Sequence, residues 1–213
     1  MKIAIIGAGN VGSTTALRLT QENFGSIVLI DIVKGLAQGK SLDLEDARFL
    51  VHTHYCIEGS NDFTALKDST VVVLTAGLAR KPGMSREELR VKNAAITTEV
   101  STAVKTYAPS AILIVVTNPL DLMTHVALKT TGFPCNRVLG MGVSLDASRF
   151  ANLISAELHI PVTDIDAMVI GSHGEGMLPL ARFSLVKGKP LSDIVSSSTV
   201  ERLINNTVGR GAE

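Results

Sequence analysis

Hydrophobic residues in the first two thirds of the chain fall into short, nearly unbroken runs. They read Ile-Ala-Ile-Ile at 3–6, Ile-Val-Leu-Ile at 27–30, Val-Val-Val-Leu at 71–74 and Ile-Leu-Ile-Val-Val at 112–116. A weaker run lies at 54–57 and a short one at 138–139. Strands that alternate apolar and polar residues keep one face in water; continuous apolar strands are covered on both faces, as in parallel sheets flanked by helices. The mixed stretches between them, 11–20, 35–49, 86–107 and 120–130, read as those helices, with Pro109 and Pro134 just beyond two of the exits. The pattern predicts a doubly wound α/β parallel sheet. Near Gly142 its character changes. A helix is expected over 144–158 with Ser144 as its cap and Pro161 after it. Next come a strand at 165–170, an extended stretch at 178–186, a turn at Lys187-Gly188-Lys189 and a helix at 199–208, with Gly209 or Gly211 as its stop. This is an α+β arrangement. Its last helix is still apolar-periodic where the chain stops, so the second domain is expected to be incomplete at its C-terminus. The expected boundaries are 1–142 and 143–213.

Composition narrows the function classes without naming one. The 213 residues are 46% hydrophobic and 19% charged, enough for a sizeable core. Lys+Arg and Asp+Glu each total 20, so no net charge favours nucleic acid or an anionic membrane. No apolar run approaches the length of a membrane span. The chain enters its first strand at once, leaving no room for a signal peptide, and a cytoplasmic location is expected. Cys56 and Cys135 stand outside any metal-ligand spacing and read as small apolar fillers. No metal site is expected.

The first strand breaks into Gly7-Ala8-Gly9-Asn10-Val11-Gly12, which has the spacing G-x-G-x-x-G and opens the first helix. The first Gly allows a tight turn, the second lets a pyrophosphate approach the backbone, and the third lets helix and strand pack closely. The free N–H groups of the helix start suit the phosphates. Asp31 ends the second strand, 19 residues beyond Gly12, close to the spacing of about 20 at which an acid meets the ribose hydroxyls. Such a carboxylate would repel a 2′-phosphate. The expected cofactor is therefore NAD, on a Rossmann-type domain.

Ligands of such sheets lie beyond the carboxyl ends of the strands. After 71–74 comes a loop with Gly77, Arg80, Lys81, Gly83 and Arg86. It reads equally as a solvated loop or as a basic lid over an anionic substrate. Thr117-Asn118-Pro119 follows 112–116; Asn118 can orient a substrate oxygen or a ribose, or simply make a turn. Asp146 and Arg149 are three apart on a helix among small and apolar residues. A local ion pair is the ordinary reading, but Arg also suits a carboxylate substrate and the Asp suits a histidine. His173, flanked by glycines after a strand, is the best candidate for that histidine. His52, His54, His125 and His159 read as surface or packing residues.

Together these segments resemble the NAD-dependent malate dehydrogenases of the lactate/malate dehydrogenase superfamily. The segments are 7–12, Asp31, 79–86, 117–121, 145–150 and 171–174, in the family order. The resemblance implies that His173 exchanges a proton with malate or oxaloacetate, oriented by Asp146. It implies that Arg149 grips one substrate carboxylate, Arg80 the other, and that Arg86 and Asn118 bind substrate. It places Asn93, Val116, Thr117 and Asn118 with the Gly-rich loop and Asp31 at the cofactor. It implies a homodimer or homotetramer, with 35–49 as the candidate interface. Glu175 departs from the Asp common at that place. The alternatives are a lactate or other 2-hydroxyacid dehydrogenase, which Arg80 disfavours, and a non-catalytic NAD-binding module.

Overall fold

The structure, a computed structural model, describes residues 1–22, 24–52, 54–79, 83–174 and 176–210. Contacts divide the chain into two compact units, Met1–Gly140 and Met141–Glu213.

The first unit runs β1 (Lys2–Ile6), α1 (Asn10–Glu22), β2 (Ser26–Ile30), α2 (Leu36–Asp46), α3 (Arg48–Val51), β3 (Cys56–Ser60), β4 (Val71–Leu74), α4 (Arg86–Tyr107), β5 (Ile112–Val115), α5 (Leu120–Thr131) and β6 (Val138–Gly140). Its six strands are parallel in the order β3-β2-β1-β4-β5-β6. Side chains of a strand alternate between faces, so a continuous apolar run feeds two cores. Ala4, Ile6, Val28 and Ile30 join Val100 and Val104 of α4 and Met123 of α5 in one. Ile3, Ile5, Ile27 and Leu29 join Ala16 of α1 and Ala37 of α2 in the other. The in-register pairing Ile3↔Ile27 through Ile6↔Ile30 keeps each set on its own face.

Several boundaries differ from the sequence reading. The helix expected over 35–49 is two helices that meet at Ala47, beyond an N-cap at Gly35 with φ 82°. The strand expected at 54–57 starts two residues later and runs to Ser60. Tyr55 is buried, its hydroxyl donates to the Leu44 carbonyl, and its own carbonyl accepts from Arg48 Nη1 at 3.1 Å. Helix-facing contacts thus occupy the residues just before the strand. Cys56 and Cys135 are exposed free thiols, not buried fillers. His52 terminates α3, and His159 terminates the helix Val143–Leu158, both in the left-handed conformation.

The second unit contains α6 (Val143–Leu158), β7 (Ile165–Asp166), β8 (Val169–Gly171), β9 (Met177–Pro179), β10 (Leu185–Val186), β11 (Lys189–Pro190) and α7 (Ser197–Gly209). Its core gathers Phe150 and Ile154 of α6, Val169, Met177 and Leu203. The single strand expected at 165–170 is two, in separate antiparallel sheets, β11-β10-β7 and β8-β9. Between them the Met168 N–H donates to Ser184 Oγ at 3.0 Å instead of to a neighbouring strand. The stretch 178–186 is likewise interrupted, with Phe183 and Ser184 N–H folded back onto the Leu180 carbonyl. The N-cap of α6 is Gly142, whose carbonyl accepts from Leu145 and Asp146; Ser144 lies inside the first turn. Gly209 ends α7 from within, Arg210 is its C-cap, and Gly211 falls outside the described residues. Among the described residues no helix is long and apolar enough to cross a membrane.

Candidate active site

The cradle of the first unit is built where β1 gives way to α1. Gly7 has φ 105°, and a Cβ there would lie 2.6 Å from Ala76 N. A Cβ on Gly12 would lie 1.8 Å from the Gly7 carbonyl oxygen, so only glycine lets α1 pack this close to β1. Gly9 is the reverse: a Cβ there meets no protein atom within 4 Å. Its open side is where a pyrophosphate would approach, at the helix end whose first N–H groups lack intrahelical acceptors.

Asp31 stands beside this loop and is tied to it. Its Oδ2 accepts from Ala8 N–H at 2.6 Å and its Oδ1 from Val33 N–H at 2.9 Å. Each carboxylate oxygen has a second lone pair, so ribose hydroxyls remain acceptable donors. Next to it opens a cavity of about 300 Å³ walled by Ile32, Val33, Phe63, Ile96 and Val100. Apolar walls, the carboxylates of Asp31 and Glu99 in the lining and the open Gly9 fit the adenosine and pyrophosphate of NAD.

The carboxyl ends of β1, β4 and β5 are laced by polar side chains. Thr75 Oγ1 donates to the Gly7 carbonyl at 3.0 Å, and Thr117 Oγ1 to the Ala76 carbonyl at 2.7 Å. Val116 N–H donates to the Leu74 carbonyl. Asn118 is exposed at the end of this row, and Asn93, on α4, reaches its carbonyl at 2.7 Å. The sequence reading did not foresee Thr75 or the lacing, since nothing local marks a threonine that crosses strands. Arg86 is exposed in the first turn of α4. That turn is fixed by a reciprocal cap, Glu88 N–H to Ser85 Oγ at 3.0 Å and Ser85 N–H to Glu88 Oε2 at 2.8 Å. The Ser85 backbone N–H, then its hydroxyl, hold the Glu88 carboxyl below its ordinary pKa. The spacing Ser-x-x-Glu was the available signal for this cap. Arg80 and Glu175 lie outside the described residues.

The second unit assembles the other three candidates. Asp146 is fully buried in the first turn of α6. Its Oδ1 accepts from Arg149 Nη1 at 3.1 Å, one helical turn on, and its Oδ2 lies 2.8 Å from His173 Nδ1. The ordinary ion pair and the histidine partner are therefore both present on one carboxylate. With Nδ1–H donating to Asp146, the neutral ring carries its lone pair on Nε2. The Arg149 side chain keeps 24% of its surface exposed, and the rest of its fork of donors suits an anion. Among the described residues no group of His, Cys, Asp or Glu could hold a metal ion.

A cradle after β1, at the point where the strand order reverses, defines a doubly wound dinucleotide-binding protein. Residues 1–140 match the family described as lactate/malate dehydrogenase, NAD binding domain. A curated malate dehydrogenase of Methanosarcina acetivorans is 50% identical over 212 residues, covering all of this chain and 69% of that protein. The apo malate dehydrogenase of Picrophilus torridus superposes with TM-score 0.95 at 40% identity, over 99% of this chain and 67% of that one. The lactate dehydrogenase of Cryptosporidium parvum, solved with lactic acid and NAD, superposes with TM-score 0.92 at 36% identity, over 97% and 67%. The chain belongs to the lactate/malate dehydrogenase family.

Proposed function

We infer that this chain carries out NAD-dependent malate dehydrogenation, the reversible oxidation of (S)-malate to oxaloacetate. The observation that carries this reading is the buried Asp146 carboxylate divided between Arg149 and His173. His173 Nε2 takes the C2 hydroxyl proton of malate, and in reverse returns it to the carbonyl oxygen of oxaloacetate. Asp146 holds the ring in the acceptor tautomer and stabilises the imidazolium that forms. Arg149 pairs with the C1 carboxylate, and Arg80 with the distal one. Arg86 polarises the carbonyl as negative charge gathers on its oxygen, and Asn118 binds the substrate and the nicotinamide ribose. When bound, NAD supplies the hydride acceptor; Gly7, Ala8, Gly9, Asn10, Val11, Gly12 and Asp31 hold its adenosine half, and Val116, Thr117 and Asn118 face the other. In this reading residues 1–142 bind the cofactor and 143–213 begin the substrate domain.

The choice of malate over lactate rests on Arg80. Oxaloacetate offers it a second carboxylate; pyruvate offers a methyl group and would leave a desolvated guanidinium unpaired. The reading extends to a cytoplasmic enzyme of the tricarboxylic acid cycle that self-associates as a homodimer or homotetramer. The decisive experiment follows NADH absorbance with each 2-oxo acid. Oxaloacetate is expected to exceed pyruvate in kcat/KM by about a hundredfold or more, and Arg80→Gln to remove about that factor. A preference for pyruvate, or an Arg80→Gln variant as active as its parent on oxaloacetate, overturns the assignment.

A further inference from the structure

Asn93 is a helix residue with 1% of its surface exposed, and each of its hydrogen bonds ends on loop backbone. Its Oδ1 accepts from Leu78 N–H at 2.8 Å, and its Nδ2 donates to the Leu78 carbonyl at 3.3 Å and the Asn118 carbonyl at 2.7 Å. Leu78 belongs to the loop after β4 and Asn118 to the loop after β5, so one amide joins the two loops to α4. The space around it is closely filled. A Cβ on Gly77 would lie 2.6 Å from Thr117 Cγ2 and 3.5 Å from Asn93 Oδ1. A primary amide accepts on one atom and donates twice from the other. An aspartate of the same shape would set a carboxylate oxygen against two carbonyls, and an alanine would take this side-chain partner from three backbone groups.

We propose that Asn93 is a positioning residue: its amide clamps the loops after β4 and β5 so that the Asn118 side chain meets the nicotinamide ribose, and Asn93 does not itself touch the cofactor. The proposal rests on the NAD-dependent reading above. It explains why a fully engaged, buried amide on α4 stands directly behind Asn118. Asn118, exposed in the loop after β5, is held in place through its carbonyl.

The test is calorimetric titration of the purified protein with NADH and with ADP, which carries adenosine and phosphates but neither the second ribose nor nicotinamide. The variants are Asn93→Ala, the isosteric Asn93→Asp, Asn118→Ala and the double Asn93→Ala/Asn118→Ala. Asn93→Ala and Asn93→Asp are each expected to weaken NADH about tenfold, the scale of a lost buried hydrogen bond, while ADP affinity stays within about twofold. In the Asn118→Ala background, Asn93→Ala is expected to add no more than about twofold, the mark of residues acting as one unit. Losses that multiply would mean that Asn93 meets NADH on its own, and would overturn the proposal. So would an equal loss of ADP affinity, which marks a general support of the fold, or unchanged NADH affinity. Failure of the unsubstituted protein to bind either ligand would refute the cofactor reading itself, and the proposal with it.

Discussion

Asp146 is fully buried with each oxygen taken by a different nitrogen donor, Arg149 Nη1 and His173 Nδ1. An asparagine there keeps the shape but replaces one oxygen with a donor. If that donor faces the ring, Nδ1 must accept, and the proton moves to Nε2, where the reaction needs a lone pair. Asp146→Asn is therefore expected to lower kcat by about 10²–10⁴-fold while NADH affinity is unchanged. Steady-state rates beside a binding titration check this; an undiminished kcat would mean that Asp146 only supports α6. This trio was readable from sequence because its signals are local: an i,i+3 spacing among small residues, and a histidine between glycines. Asn93 was not readable as a clamp. Its partners lie 15 and 25 residues away, and along the chain it is one more polar position on a long helix. Asp31 was read for ribose, but not for its bond to Ala8 N–H, which depends on how closely β1 and β2 bring their carboxyl ends together.

At the scale of elements, β1 and α1 form a pair whose geometry depends on two glycines in opposite ways. A methyl group on Gly12 would overlap the Gly7 carbonyl, whereas one on Gly9 would meet no protein atom. Gly12→Ala is expected to destabilise the protein by about 1–3 kcal/mol, as overpacking does, and to weaken NADH binding. Gly9→Ala is expected to leave the denaturation midpoint in place and to weaken NADH binding alone, because its methyl group enters the space reserved for phosphate. Denaturant curves read beside NADH titrations separate the two. Equal behaviour of the variants would contradict the geometry. The strands most plainly written in the sequence were those buried on both faces, since β1, β2 and β4 have few polar residues to confuse the pattern. The misplaced elements were those whose ends are set by distant groups. Tyr55 reaches the Leu44 carbonyl and delays β3, and Ser184 takes the Met168 N–H where one expected strand gives way to two sheets.

Over the whole molecule, the two units each close their own core, but the first leaves apolar side chains in water. Leu42 of α2 is 59% exposed, and Phe49 and Leu50 of α3 are 83% and 76% exposed. Three such residues within nine positions are more than scattered surface hydrophobics, and a second copy of the chain is the occupant that the proposed self-association supplies. Leu42→Glu with Phe49→Asp is expected to shift sedimentation from a multiple of the chain mass to the monomer. A parent protein that already sediments as a monomer would remove the proposal. Self-association could not be read from composition, because strand and interface draw on the same apolar residues. The carboxylate shared by Arg149 and His173 couples its two partners. A substrate anion that draws the guanidinium away leaves more of the Asp146 charge to the imidazole. A proton on the imidazole, in turn, frees the guanidinium for the anion. Linked equilibria favour one another to the same degree in both directions, so in the proposed reaction the grip on the anion and the hold on the proton strengthen each other.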